Sequence, residues 1–389
     1  MIILDKPYVS DLLKQTLIKN QFPLINTESL SNFRLSNEIN FVQPKQAVKT
    51  LLLQENPKVY SNSENAIDWV SKNLTTTKLP QYINLFKDKV KFRTLVRDMY
   101  PNFFFKEIPY VNLEKTDISS FPKPFILKPS IGFFSMGVYK IDNQTDWDNM
   151  LKRVDIEMGE VRNLYPKEVM DSTNFIAEEL IEGDEFAFDA YFNEHGKPVV
   201  LGILKHLFSS GNDVSDRIYY TSKNIIEENL AKFNQFMQEV GKRANIKNFP
   251  VHIEVRVTAK GEVIPIEVNP MRFGGWCTTA DLTTHAFGLN PYEYYFENRT
   301  PNWTELLQGK EGKHFCVVIL DNSTGIAASE IKDFDYEKVL KRFNKPIDLR
   351  KVNWLEYPLF GILFTETNEN NYAEIEAILK SDLKEFVIV

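Results

Sequence analysis

Two short runs past the middle of the chain constrain its fold more than any other feature. Val251 to Val257 and Val263 to Val268 alternate apolar and polar residues with the period of a strand, and Ala259-Lys260-Gly261 lies between them as a turn sequence. The pair reads as a hairpin. Alternation puts His252, Glu254 and Arg256 on one face of the first strand and aligns Glu267 with Asn269 on the second. If the turn brings those faces together, three oxygen-bearing side chains converge: Glu254, Glu267 and Asn269. Hard oxygen donors suit Mg²⁺, which keeps several waters and completes its octahedral shell with substrate phosphate. A pair of exposed, charged strands is the alternative that the same pattern allows.

A second segment carries a cation into a loop. Pro124-Phe125-Ile126-Leu127-Lys128-Pro129 reads as a strand entering a turn, because Pro129 biases Lys128 toward an extended backbone. Ser130 to Val138 follows as a partly polar loop containing Gly132, Ser135 and Gly137. Such a loop can point backbone donors at phosphate while Lys128 supplies a point charge. The competing reading is a surface lysine beside a turn, with the glycines meeting only backbone geometry. The spacing matches neither the Walker pattern nor the dinucleotide fingerprint. Arg272, directly after Glu267-Val268-Asn269-Pro270-Met271 and before Phe273-Gly274-Gly275, offers a planar guanidinium for a phosphate or carboxylate. An ordinary solvated arginine is its alternative.

Around these segments the chain has an α/β rhythm. Ile2 to Leu4 and Phe22 to Ile25 read as strands; helical spacing over Tyr8 to Lys19, Ala47 to Gln54 and Ala66 to Val70 completes a small N-terminal α/β domain over residues 1–85. One helix is expected from Ile83 to Asp98, between Pro80 and Pro101. Strands at Phe175 to Leu180, Glu185 to Tyr191 and Val199 to Leu204 suggest an antiparallel or mixed sheet, and Ile225 to Gly241 a long helix. Strands at Phe315 to Leu320 and Phe360 to Phe364 and a helix at Tyr372 to Lys380 form either a small subdomain or an extension of the central one.

The 389 residues leave room for two or three compact units, and 43% hydrophobic with 25% charged residues is a globular balance. Lys plus Arg total 46 against 53 Asp plus Glu, a formal charge of -7, so no global basic field invites nucleic acid. No apolar run approaches the roughly 18 residues of a membrane span. The start lacks a signal-peptide core, and cytoplasm is the expected compartment. Two cysteines, Cys277 and Cys316, give neither a disulfide lattice nor a zinc set, and the five histidines form no compact metal pattern. Nor is there a serine or cysteine elbow of the hydrolase kind.

In this order, the segments resemble the ATP-grasp superfamily, especially its carboxylate–amine or carboxylate–thiol ligase branch, over roughly residues 85 to 300. The resemblance implies an α/β, ATP-grasp architecture: the N-terminal domain, then two subdomains enclosing a nucleotide cleft within 86–300, divided near 175, and a closing or extending segment over 301–389. Lys128 matches the nucleotide-binding lysine strand, and Ser135 and Gly137 the phosphate-covering loop, where Phe133 and Phe134 replace the usual small residues. Lys89 matches a second nucleotide-contacting lysine. Glu178 is implied to meet the adenine amino group, Glu179 and Ile181 to offer backbone contacts, and Glu185 to hold the ribose. Glu254, Glu267 and Asn269 match the metal ligands. Arg272 matches the group that steadies the transferred phosphate, with Met271 intervening after the usual Asn-Pro, and Lys205 is a further phosphate contact.

The implied cofactors are ATP and Mg²⁺, with Mn²⁺ as a substitute. The implied activity joins a small-molecule carboxylate to an amine through an acylphosphate, releasing ADP and phosphate. A thiol acceptor and a non-catalytic ATP-binding scaffold are the alternatives. Neither acid nor amine is fixed; Trp276 to Asp281 and Asp213 to Tyr219 line an acceptor pocket or form packed loops. A homodimer is the default assembly, without a sequence patch that marks it.

Overall fold

The computed structural model describes residues 1–132, 137–161, 171–209 and 215–389. The chain divides into two compact units. One comprises Met1–Gly183, Ala190–Val199 and Asn234–Cys277; the other comprises Asp184–Asp189, Val200–Phe233 and Thr278–Val389.

The first unit begins with a parallel four-stranded sheet in the order Phe41–Val42, Leu24–Ile25, Ile2–Ile3, Tyr60–Ser61. Helix Asp11–Asn20 connects the first and second strands in sequence and Pro44–Leu51 the third and fourth, as crossovers between parallel strands require, and Ile67–Asn73 follows the last strand. Ser10 caps the first of these helices by accepting from the Leu13 amide, and Leu13 and Leu17 bury its inner face.

The expected helix from Ile83 to Asp98 is two helices, Leu79–Lys87 and Lys89–Leu95. Asp88 causes the break. Its backbone is extended, and its carboxylate accepts from the amides of Val90 at 2.9 Å and Lys91 at 3.3 Å, capping a new helix instead of continuing the old one. Lys87 therefore ends one helix and Lys89 opens the next.

An antiparallel sheet follows in the order Phe105–Pro109, Asp171–Glu179, Phe125–Ile131, Tyr139–Ile141. Phe125 and Leu127 face its core with Phe175, Ala177 and Trp147, so alternation turns Ile126 and Lys128 to the other face. The hairpin is present as Phe249–Val257 paired with Val263–Pro270, with Gly261 at φ 82 in its turn.

In the second unit, the strand ending at Leu207 pairs with Ile218–Ser222, and antiparallel pairing continues through Lys313–Asp321 and Leu359–Asn368 to Pro346–Lys351. Ile375 and Ile378 of the C-terminal helix Ala373–Leu379 share one apolar cluster with Ile218, Val318, Phe334, Phe360 and Leu363. The C-terminal portion is thus built into the same core as the Ile218–Ser222 strand. Among the described residues no helix is long and apolar enough to cross a membrane.

Candidate active site

The Lys128 strand supplies the first part of the site. Its register sets Lys128 opposite Ile176 and Ile126 opposite Glu178, which makes Lys128 and Glu178 diagonal neighbours on one face. Their side chains meet at 2.5 Å. The other oxygen of Glu178 accepts from Arg93 Nε at 2.8 Å, and Arg93 also donates to the Pro265 carbonyl of the hairpin. Burial alone would raise the Glu178 pKa, but Arg93 and Lys128 outweigh it and hold the carboxyl at about 2. Both carboxylate oxygens thus face cations, so Glu178 fixes Lys128 in place. The adenine contact implied for Glu178 would require it to exchange a cation.

The hairpin supplies the second part. Glu254 stands opposite Glu267 and His252 opposite Asn269, with a register shift just after Glu254. Facing residues of an antiparallel pair share a face, so the sequence-derived convergence of Glu254, Glu267 and Asn269 is the arrangement present. Glu267 accepts from the Asn269 amide at 3.0 Å and meets Lys89 Nζ at 3.1 Å. Burial pushes the Glu267 carboxyl up, while Lys89, Lys87 and Lys128 together hold it well below the usual range. Glu254 lies 3.8 Å from His252 Nε2.

The third part was not legible beforehand. Glu64, in the short 3₁₀ turn Glu64–Ala66, receives Arg272 through Nε at 2.9 Å and Nη2 at 2.8 Å, and its second oxygen is paired with Lys87. Met271, which intervenes before Arg272, sits at φ 65 with its amide on the Pro250 carbonyl and its carbonyl on the Ser61 amide. That left-handed turn delivers Arg272 to Glu64. Lys87 and Lys89 each donate to the carbonyl oxygen of Gly132, both at 3.2 Å.

Lys87, Lys89, Arg93, Lys128 and Arg272 thus meet Glu64, Glu178 and Glu267, and with Glu254 on the same face as Glu267 the site sets five cations against four carboxylates, an excess of one positive charge in largely buried surroundings. Such an excess suits a polyanion. Two carboxylates with an amide oxygen beside it form a hard-oxygen set for a divalent cation that retains water and phosphate ligands, not an all-protein cage. No group of three or more His, Cys, Asp or Glu able to hold a metal occurs among the described residues. The residues therefore fit a magnesium–nucleotide pair, with Lys89, Lys128 and Arg272 as the candidates for phosphate and Glu254, Glu267 and Asn269 as those for the metal.

Other expected residues fall as follows. The Glu179 amide bonds the Phe104 carbonyl at 3.1 Å, and the Ile181 carbonyl accepts from Arg256 at 2.8 Å. Gly137 sits at φ 70, a turn geometry that favours glycine. Ser135 and Asp213 lie outside the described residues. In the second unit, Glu185 is 2.9 Å from His206 Nδ1, whose Nε2 faces the Ser215 carbonyl, and the His206 ring stacks on Tyr219. Lys205 instead meets Asp184 at 2.7 Å. Adjacent residues on a strand point to opposite faces, so Lys205 and Glu185 are on different sides of their sheet and do not converge. Thr279 donates to Asp189 and Asp281 pairs with Arg350, all four side chains being buried, so this part of the expected acceptor segment is packed. Trp276 stacks with Tyr8 at 6.1 Å between centroids.

Residues 121–280 match the family model of the ATP-grasp domain. The chain carries an ATP-grasp domain, and its fold is the mixed α/β fold of that family. Among solved structures, L-amino acid ligase from Bacillus licheniformis superposes with a TM-score of 0.67 at 17% identity, covering 100% of this chain and 97% of that one. Biotin carboxylase from Campylobacter jejuni, in a β-γ-ATP complex, gives 0.62 at 12% identity, covering 100% and 91%. N5-carboxyaminoimidazole ribonucleotide synthetase from Thermotoga maritima gives 0.62 at 15% identity, covering 99% and 98%. At these identities the likeness is one of fold. No curated protein matches the chain in sequence at a significant level.

Proposed function

We propose that the protein is an ATP-dependent carboxylate–amine ligase that forms an amide, or peptide-like, bond through an acylphosphate. The observation that carries the reading is the buried cation excess of Lys89, Lys128 and their neighbours beside the oxygen donors Glu254, Glu267 and Asn269. In this reading Lys89 and Lys128 hold the phosphate chain, and Arg272 binds the transferred phosphoryl group or the substrate carboxylate. Glu254, Glu267 and Asn269 would hold a magnesium ion, which would supply charge neutralisation to the phosphates. A substrate carboxylate oxygen attacks the γ-phosphorus, the bond to the β–γ bridging oxygen breaks and ADP leaves. The amine nitrogen then attacks the acyl carbon, the carbon–oxygen bond to phosphate breaks, and the amine gives up a proton as phosphate departs. Holding acid and amine together lowers the orientational barrier of that second step.

The fold shared with an L-amino acid ligase supports amino acids as the first substrates to test. The test is a screen of acids with amines, read by product mass and ADP release. Ligation in the wild type, lost in Glu267→Gln and Lys128→Met variants that remain folded, supports the reading. Undiminished ligation in those variants contradicts it, and a product formed only with thiol acceptors assigns the thiol reaction instead.

A further inference from the structure

Lys87 has no part in the reaction as written above, yet it is one of the most enclosed cations of the molecule, 4% exposed. Its ammonium meets the Glu64 carboxylate and the Gly132 carbonyl oxygen, the latter at 3.2 Å. Lys89 Nζ reaches that same carbonyl oxygen at the same 3.2 Å. Two ammonium groups stripped of water and sharing one neutral acceptor repel each other, and the repulsion is stronger inside protein than in water. Burial pushes the Lys87 pKa down, Glu64 pulls it back up, Lys89 lowers it again and Glu267 raises it, the net direction being down. The nearby carboxylates are shared among several cations: Glu64 also holds Arg272, and Glu267, which acts on Lys87 as well, is in contact with Lys89. A lysine that served only to anchor the end of its helix would need neither the shared carbonyl nor a second lysine beside it. A chain of phosphate oxygens offers several strong acceptors for the excess charge at once.

We infer that Lys87 is a further phosphate-binding residue of the nucleotide site, acting with Lys89 and Lys128, and that Glu64 is the internal anion competing for it. When the phosphate chain binds, the Lys87 ammonium exchanges the Gly132 carbonyl for a phosphate oxygen and keeps its place through Glu64. The inference rests on the ATP-site reading of this cluster and does not require that ligation follow.

Calorimetric titration of the full-length protein with a non-hydrolysable ATP analogue plus Mg²⁺, and separately with adenosine, tests it. Lys87→Met is expected to weaken analogue binding by about tenfold to a hundredfold, the loss of one charge-assisted contact, and to leave adenosine binding within about twofold. Glu64→Gln, which releases Lys87 and Arg272 from their shared counter-ion, is expected to keep or raise analogue affinity. An anchoring role makes the opposite demand, because each substitution breaks the same ion pair and both should then weaken binding together. Equal losses in the two variants, equal losses for analogue and adenosine, or an unchanged affinity in Lys87→Met would each overturn the inference. If Lys87→Met fails to fold, the Lys87→Met/Glu64→Gln double variant removes both charges of the buried pair and carries the same expectation relative to Glu64→Gln alone. A wild type that binds the analogue but makes no amide sinks the ligase reading and leaves the Lys87 comparison intact.

Discussion

At Glu178, one carboxylate holds two cations of different origin: Arg93 from the Lys89–Leu95 helix and Lys128 from the adjacent strand. Replacing it with Gln leaves both cations buried without their counter-charge, and removing one partner of a buried pair costs about 3–5 kcal/mol. Urea denaturation of Glu178→Gln is expected to show a loss of that size. The pH dependence has a definite sign. Glu178 is held at about 2 against an ordinary 4.5, and Glu64 and Glu267 are lowered as well. A depressed carboxyl stabilises the fold fully above its unfolded value and loses that contribution as pH falls through the folded one. Stability should therefore fall as pH drops from about 4.5 toward 2, with Glu178 accounting for on the order of 3 kcal/mol. Urea midpoints measured across that range check this, and the slope should flatten in Glu178→Gln.

Among elements, the parts legible in the sequence are those with a local signal. The hairpin showed in strand alternation around a glycine turn, which placed Glu254, Glu267 and Asn269 on one face. The Lys128 strand showed in an apolar run ended by Pro129. The helix break at Asp88 was equally local, an acidic residue two positions before a capped amide, but the run between Pro80 and Pro101 reads as one helix when periodicity alone is followed. Glu64 and Arg93 had no such signal. Their partners lie 208 residues away at Arg272 and 85 away at Glu178, and no period links positions so distant. Lys205 and Glu185 carry no mutual signal either, since a one-residue difference along a strand decides the face, and Lys205 meets Asp184 while Glu185 meets His206.

Two substitutions test these elements. Asp88→Ala removes the cap that starts the second helix at Lys89 and should cost about 1 kcal/mol in thermal or urea melts. Gly183 sits at φ 131, and a Cβ there would collide with the Val257 carbonyl of the hairpin. Gly183→Ala should cost about 1–3 kcal/mol through that strain. An unchanged denaturation midpoint in either variant would contradict its assigned role.

At the scale of the whole molecule, charge separates surface from site. The chain carries a formal charge of -7, while its cation excess is concentrated in the ion-paired cluster of one unit. Long-range attraction to a polyanionic surface is therefore not expected, and the protein should pass a heparin column unretained at physiological ionic strength. The match to the ATP-grasp domain over residues 121–280 and the full-length similarity to ligase and carboxylase structures are likenesses of fold, and the proposed activation of a carboxylate by phosphorylation is the claim to be tested. The most direct measurement of that claim follows oxygen. With an acid found by the product screen and labelled with ¹⁸O in its carboxylate, turnover should place one labelled oxygen in the released inorganic phosphate and none in the nucleotide. Unlabelled phosphate, or label carried into AMP, would contradict an acylphosphate formed at the cluster of Lys89, Lys128 and Arg272.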